Sequence, residues 1–224
     1  MLLTFADVIR SDEQQAILTH VGAAEFVAGR ETAGAQLAQR KHNEQIRRDD
    51  TPRIDAISAI VLDALKRNET FCNAVYPKQL HSLLVSRYRP GMHYGLHVDQ
   101  ALMGGATAWR TDLSLTLFLN AAEDYDGGEL SIEAGSAKYA VKLAARSMVC
   151  YATGQMHQVL PVTRGERLAV VAWIQSFVRD NGAREALADL ARARDALRSG
   201  GESSEAYELV NKTHMNLLRR WAEA

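Results

Sequence analysis

The chain has 224 residues, 47% of them hydrophobic and 24% charged, the balance of an ordinary globular protein with one good core and a small appendage. With 26 basic and 27 acidic residues the net charge is −1, so there is no broad positive footprint and no nucleic-acid partner is expected. The two cysteines, Cys72 and Cys150, stand far apart with no C-x-x-C pattern, which argues against a disulfide framework and for two buried thiols in a reducing compartment.

The opening MLLTFADVIRSDEQQ meets Asp7 too early for the apolar core of a signal peptide. No apolar run approaches the roughly 18 residues of a membrane span. A cytoplasmic protein without a membrane partner is expected. SDEQQAILTHV reads as a short helix with Ser11 as cap, Gln14 three residues on, and Ile17 and Leu18 inward. RIDAISAIVLDALKR repeats Ile54, Ile57, Ile60, Val61 and Leu65 at helical spacing, which predicts a second helix packed on something flat.

Near residue 80 the period changes. LHSLLVSRY, HYGLHVD, DLSLTLFLN, GELSIEA, KYAVKLAA, SMVCYA and RLAVVAWIQSF are short segments rich in Val, Leu, Ile and aromatics, and turn signals such as RPGM, DYDGG and TRGE separate most of them. Seven or so strands in this stretch predict a sandwich or barrel. In DLSLTLFLN one face is Leu113, Leu115, Leu117 and Leu119, suited to packing on a layer. The other, Asp112, Ser114, Thr116, Phe118 and Asn120, suits a wet cavity or solvent. After Asp180 two helices, with Gly200 and Gly201 between them, predict a C-terminal hairpin whose arginines form a solvated face. Three regions are therefore expected: a support region over 1–79, a β core over 80–178 and a helical extension over 179–224.

YGLHVDQ, Tyr94 to Gln100, alternates Leu96 and Val98 with His97 and Asp99. On a strand the latter two project side by side, as a hydrogen-bonded pair or as two ligands of one metal. H-x-D alone is a weak signal. His157, on a late strand of the same block, adds a third donor. Two histidines and one carboxylate match the facial triad that holds iron(II) with open positions, whereas a closed zinc site would want four ligands, usually with cysteine. Arg167 follows ten residues later across the TRGE turn, where antiparallel pairing would bring it to the same cavity. Its guanidinium could grip one end of a dicarboxylate such as 2-oxoglutarate. Arg164 lies in the turn itself and is expected to be solvated. His93 lies on the same strand face as His97 but has Gly95 where a carboxylate would stand, and reads as cavity lining or surface; His20, His42, His81 and His214 have no partner pattern and read as structural or exposed. Tyr94, Phe118 and Trp173 read as core or cavity wall, and Gly127 and Gly128 as a turn with positive φ.

Together YRPGMHYGLHVD, DGGEL, MHQVLPVTRGERLAVVAWIQSF and NLLRRWAE make a chain that resembles the bacterial PKHD-type hydroxylases, relatives of the prolyl 4-hydroxylase branch of iron(II)/2-oxoglutarate dioxygenases. The resemblance implies an α+β protein with a double-stranded β-helix (jelly-roll) core, N-terminal helices packed on it and a C-terminal helical hairpin. It implies Fe(2+) on His97, Asp99 and His157, 2-oxoglutarate on Arg167 with Tyr88 hydrogen-bonding the co-substrate, and L-ascorbate as the reductant that keeps iron ferrous. O2 and an unidentified substrate complete the reaction, and members are described as iron-uptake factors. The C-terminal hairpin could cover one end of the barrel or mediate self-association into a homo-oligomer. Two other readings use the same donors: a non-catalytic iron sensor, and a zinc hydrolase.

Overall fold

Alternation along the strands decides the layering. The computed structural model describes residues 1–32, 38–198 and 204–223. Strands are numbered along the chain. A seven-stranded sheet runs in the order β1 (Leu2–Phe5), β13 (Met148–Ala152), β9 (Leu113–Phe118), β16 (Arg167–Ser176), β5 (Pro77–Tyr88), β4 (Glu44–Ile46), β2 (Phe26–Ala28). A five-stranded sheet runs β12 (Ala137–Val141), β11 (Leu130–Ala134), β14 (His157–Val159), β6 (His93–His97), β3 (Lys41–His42). Two small ribbons, β7 (Leu102–Met103) with β8 (Trp109–Arg110) and β10 (Tyr125–Gly127) with β15 (Val162–Gly165), complete the strands. Every pairing is antiparallel.

Because side chains alternate across a strand, β9, β13 and β16 each serve two environments. Leu113, Leu115 and Leu117 of β9, Met148 and Cys150 of β13 and Val170, Ala172 and Ile174 of β16 share one core with helices α1 (Ser11–Gly22), α2 (Thr51–Arg67) and α3 (Glu69–Val75). Ile17 of α1 and Ile57 of α2 are wholly buried there. The opposite faces supply Phe118, Val149 and Tyr151 to a second core between the sheets, closed by Leu130, Ile132, Val141 and Val159 of the five-stranded sheet. Helices cover one face of the large sheet, and the small sheet covers the other. The result is a jelly roll in an α+β protein.

The C-terminal helices α4 (Asn181–Arg198) and α5 (Glu205–Trp221) pack on each other, and α4 packs on α3. Val178, Ala183, Leu187, Tyr76, Leu217, Leu218 and Trp221 form a satellite core there, and the Tyr76 hydroxyl meets His214 Nε2 at 2.7 Å. The hairpin thus joins the helical layer, away from the space between the sheets.

Several local expectations are corrected. Helix α1 is capped one residue earlier than expected: the Arg10 backbone N–H donates to Glu13 Oε2 at 2.8 Å, and Ser11 is already helical. TRGE is no free turn. Its first three residues lie in β15, where Gly165 opposes Tyr125. The arginines of α4 do not all face water. Arg184 is buried and donates to the carbonyls of Val178 and Arg179 at 2.6 and 2.9 Å, closing the end of β16 onto the helix. Cys150 is buried but Cys72 only partly so; both are free. Gly200 and Gly201 lie outside the described residues.

Leu115 is wholly buried between β9 and the helices, whereas Leu209 is half exposed. Leu115→Ala should cost about 2–5 kcal/mol by opening a cavity. Leu209→Ala should stay within about 0.5 kcal/mol. Urea midpoints at unchanged slope measure both; equal effects would contradict this layering.

Candidate metal centre

Strands β6 and β14 are neighbours, and their register sets His97 directly opposite His157. Side chains of such a cross-strand pair share a face, and the two rings lie 4.2 Å apart between centroids. Both are buried. A bulge follows at once, so that Val159 rather than the next residue pairs with Tyr94. Strand β6 ends at His97, and Asp99 comes from the segment beyond it. Val98, which the alternation in YGLHVDQ reads as buried, is 44% exposed, because past the strand end the chain no longer holds the pleat. Asp99 nevertheless turns in: its carboxylate lies 3.8 Å from His97 Nε2 and 3.7 Å from His157 Nε2. One ligand atom from each of the three lies within 4.8 Å of the others.

The hydrogen bonds around the three fix which atoms face inward. His97 Nδ1 meets the Gly95 carbonyl at 2.8 Å, and His157 Nδ1 meets that of Gln155 at 3.0 Å. A carbonyl only accepts, so each Nδ1 carries a proton, and in the neutral ring the lone pair is then on Nε2, the nitrogen nearer Asp99. Burial, followed by the nearness of His157, pushes the His97 pKa down to about 4, which keeps the ring neutral. Asp99 Oδ2 accepts from Ser114 Oγ and from Trp173 Nε1, each at 2.8 Å. That anchors one oxygen and orients the other. Two imidazoles and one anchored carboxylate, with no cysteine, suit a divalent iron better than a closed thiolate site.

These donors line a cavity of about 490 Å³ between the sheets. Arg167, at the start of β16, opens onto the same cavity and is only 1% exposed. The route differs from the expected one. β16 pairs with β5 and β9, while β14 pairs with β6 and β11, so Arg167 and His157 lie in facing sheets rather than on paired strands. The guanidinium sits 5.2 Å from both the Tyr88 and the Phe118 ring centroids. Its Nε is buried and has no hydrogen-bond partner among the described residues. A buried guanidinium with a spare donor calls for an anion. The backbone makes room for it: at Gly128 (φ +68°) an added Cβ would lie 2.9 Å from Val162, 3.1 Å from Arg167 and 3.1 Å from Tyr125. Tyr88 stands opposite Arg167 in register and lines the cavity. Burial raises its pKa and keeps the phenol a neutral donor. Arg164 is exposed and paired with Asp126 at 2.7 Å.

The other candidates fall where burial puts them. Tyr94 stacks on His97 at 3.7 Å and Tyr151 meets His157 edge-on at 5.1 Å, so both are cavity wall. His93 stacks on His42 and His81 on Trp109, outside the donor set. Ser114 was visible in the sequence only as part of a mixed face. Its role and that of Trp173 depend on β9 and β16 being neighbours, a pairing that no local pattern announces.

A jelly roll with this donor set defines the 2OG-Fe(II) oxygenases, and a family model described as the 2OG-Fe(II) oxygenase superfamily matches residues 83–175. A prolyl-4-hydroxylase from Pseudomonas putida has a similar fold, with a TM-score of 0.52 at 21% identity over 78% of this chain and 92% of that one. Among relatives of known family, a PKHD-type hydroxylase of Synechococcus sp. (strain JA-2-3B'a(2-13)) is 44% identical over 224 residues, covering all of both chains. One from Crocosphaera subtropica is 42% identical over the same span. The chain belongs to the PKHD-type hydroxylases, iron(II)- and 2-oxoglutarate-dependent dioxygenases.

Trp173→Phe removes one of the two hydrogen bonds to Asp99 Oδ2 while keeping a ring of similar size. Affinity for a divalent metal should fall about 10- to 100-fold. Calorimetric titration with manganese(II) reads this, and an unchanged affinity would show that Ser114 alone suffices to orient Asp99.

Proposed function

We propose that His97, Asp99 and His157 bind one iron(II) ion, and that Arg167, with Tyr88 beside it, grips the far carboxylate of 2-oxoglutarate. The observation that supports this most is the joint placement of three convergent donors and one buried guanidinium in a single cavity. Bound iron would supply oxygen activation, coupling decarboxylation of 2-oxoglutarate to succinate with hydroxylation of a substrate.

The chain's part is geometry and exclusion of water. The carbonyls of Gly95 and Gln155 hold a proton on each Nδ1, which leaves Nε2 as the coordinating atom of each ring. Ser114 and Trp173 fix the direction of the Asp99 carboxylate. Arg167 offers charge-assisted donors at the wall formed by Tyr88 and Phe118, and so sets how far a dicarboxylate enters. Leu84, Leu130, Val159 and Val171 line the space between and keep it dry. None of these residues needs to act as a general base.

Two finer features rest on the family resemblance: ascorbate keeping iron ferrous, and a link to iron uptake; self-association is a role open to the C-terminal hairpin. On this reading residues 80–178 carry the chemistry, 1–79 support it and 179–224 brace the helical side. Two free cysteines accord with a reducing, cytoplasmic setting, and among the described residues no helix is long and apolar enough to cross a membrane. A pure iron sensor would have no use for Arg167 in the cavity.

Aerobic protein with added iron(II) should release succinate from 2-oxoglutarate. Arg167→Ala should raise the apparent KM for 2-oxoglutarate by about 10-fold or more, the worth of a lost charge-assisted hydrogen bond; an unchanged KM would remove Arg167 from the site. His157→Ala should abolish tight metal binding at unaltered thermal stability of the metal-free protein.

A further inference from the structure

We propose that Tyr125 is a positioning residue for Arg167: its phenol oxygen accepts the guanidinium Nε–H and so turns the Nη groups into the cavity, toward the far carboxylate of 2-oxoglutarate. The inference rests on the reading of Arg167 as the anchor of the co-substrate and adds the group that aims it.

Two buried polar atoms stand without partners at one place. Tyr125 is wholly buried, yet its hydroxyl has no hydrogen-bond partner among the described residues, and neither has Nε of Arg167. Buried polar groups of folded proteins are paired with few exceptions, because the loss of their water is otherwise uncompensated. The two side chains meet over Gly128. A Cβ added there would lie 3.1 Å from Tyr125 Cε2 and 3.1 Å from Arg167 Cδ. Cε2 adjoins the carbon that bears the hydroxyl, and Cδ is the carbon bonded to Nε. Only a glycine leaves this space open, and its φ of +68° is one that other residues rarely adopt. A small turn of the guanidinium then sets Nε–H on the phenol oxygen.

Tyr125 is held where it can do this. It opposes Gly165 in the ribbon of β10 and β15, just before β16 opens with Arg167. The Lys142 ammonium lies 4.2 Å from the centroid of its ring and donates to its carbonyl at 2.7 Å. Burial raises the phenol pKa, with the Arg167 charge opposing, so the oxygen accepts without adding a charge. Tyr125 is not among the residues that line the cavity, so it stands behind Arg167 and does not touch the co-substrate. The rings of Tyr88 and Phe118, with centroids 5.2 Å from the guanidinium, confine it by contact. A ring face has no lone pair to fix the rotation of a guanidinium about its own axis. The Tyr125 oxygen supplies one.

The test uses full-length protein. Tyr125→Phe and Tyr125→Met both remove the oxygen and keep an apolar side chain. With manganese(II) bound and under nitrogen, calorimetry reads the affinity for 2-oxoglutarate and for 2-oxopentanoate, the same chain with a methyl group in place of the far carboxylate. Affinity for 2-oxoglutarate should fall about 5- to 10-fold, the worth of a typical hydrogen bond, while affinities for 2-oxopentanoate and for manganese(II) stay as in the wild type. Under air with iron(II), the apparent KM for 2-oxoglutarate should rise by the same factor with kcat little changed. A purely structural hydroxyl would weaken both keto acids alike. An unchanged affinity for 2-oxoglutarate, an equal loss for both keto acids, or failure of both variants to fold overturns the proposal. Equal affinity of the wild-type protein for the two keto acids overturns the reading of Arg167 as well.

Discussion

The two unlike faces of the seven-stranded sheet are the constraint on which the rest depends. Leu115 and Thr116 are neighbours in sequence, yet one is packed against helices and the other lines the cavity. A slip of one residue in the register of β9 or β16 would invert this. Leucines would fill the space between the sheets, and Ser114, Trp173 and Arg167 would be turned against the helices, where a guanidinium and a hydroxyl are costly. The helical layer does more than add stability, because the depth of its core holds the register that aims the polar face inward.

The site is built across this frame rather than within one motif. The five-stranded sheet contributes His97 and His157 as cross-strand neighbours. The seven-stranded sheet answers with Ser114 and Trp173, which hold Asp99 from the other side. Asp99 itself lies past the end of its strand, free of the ladder, and reaches both sheets.

Features that depend on residue type and on period two were legible in the sequence. The split of β9 into an apolar and a mixed face was readable from DLSLTLFLN, and His97, Asp99 and His157 could be singled out because few side chains bind metals. Features that depend on which distant strands pair were not. Arg167 was picked out for the right cavity by the wrong route, since its strand pairs with β5 and β9 instead of β14. The exposure of Val98 follows from where β6 stops, and alternation alone cannot mark a strand end. Arg184 reads as one more arginine on a polar helix; only the bare carbonyls at the end of β16 explain why it is buried.

The indole of Trp173 donates directly to the carboxylate that sits between the two histidines. Indole emission is sensitive to charge and to paramagnetic neighbours, so this side chain acts as an optical reporter wired to the centre. Filling of the site would register as a change in intrinsic fluorescence, with Trp109 beside His81 and Trp221 in the helical layer as the background against which it is seen.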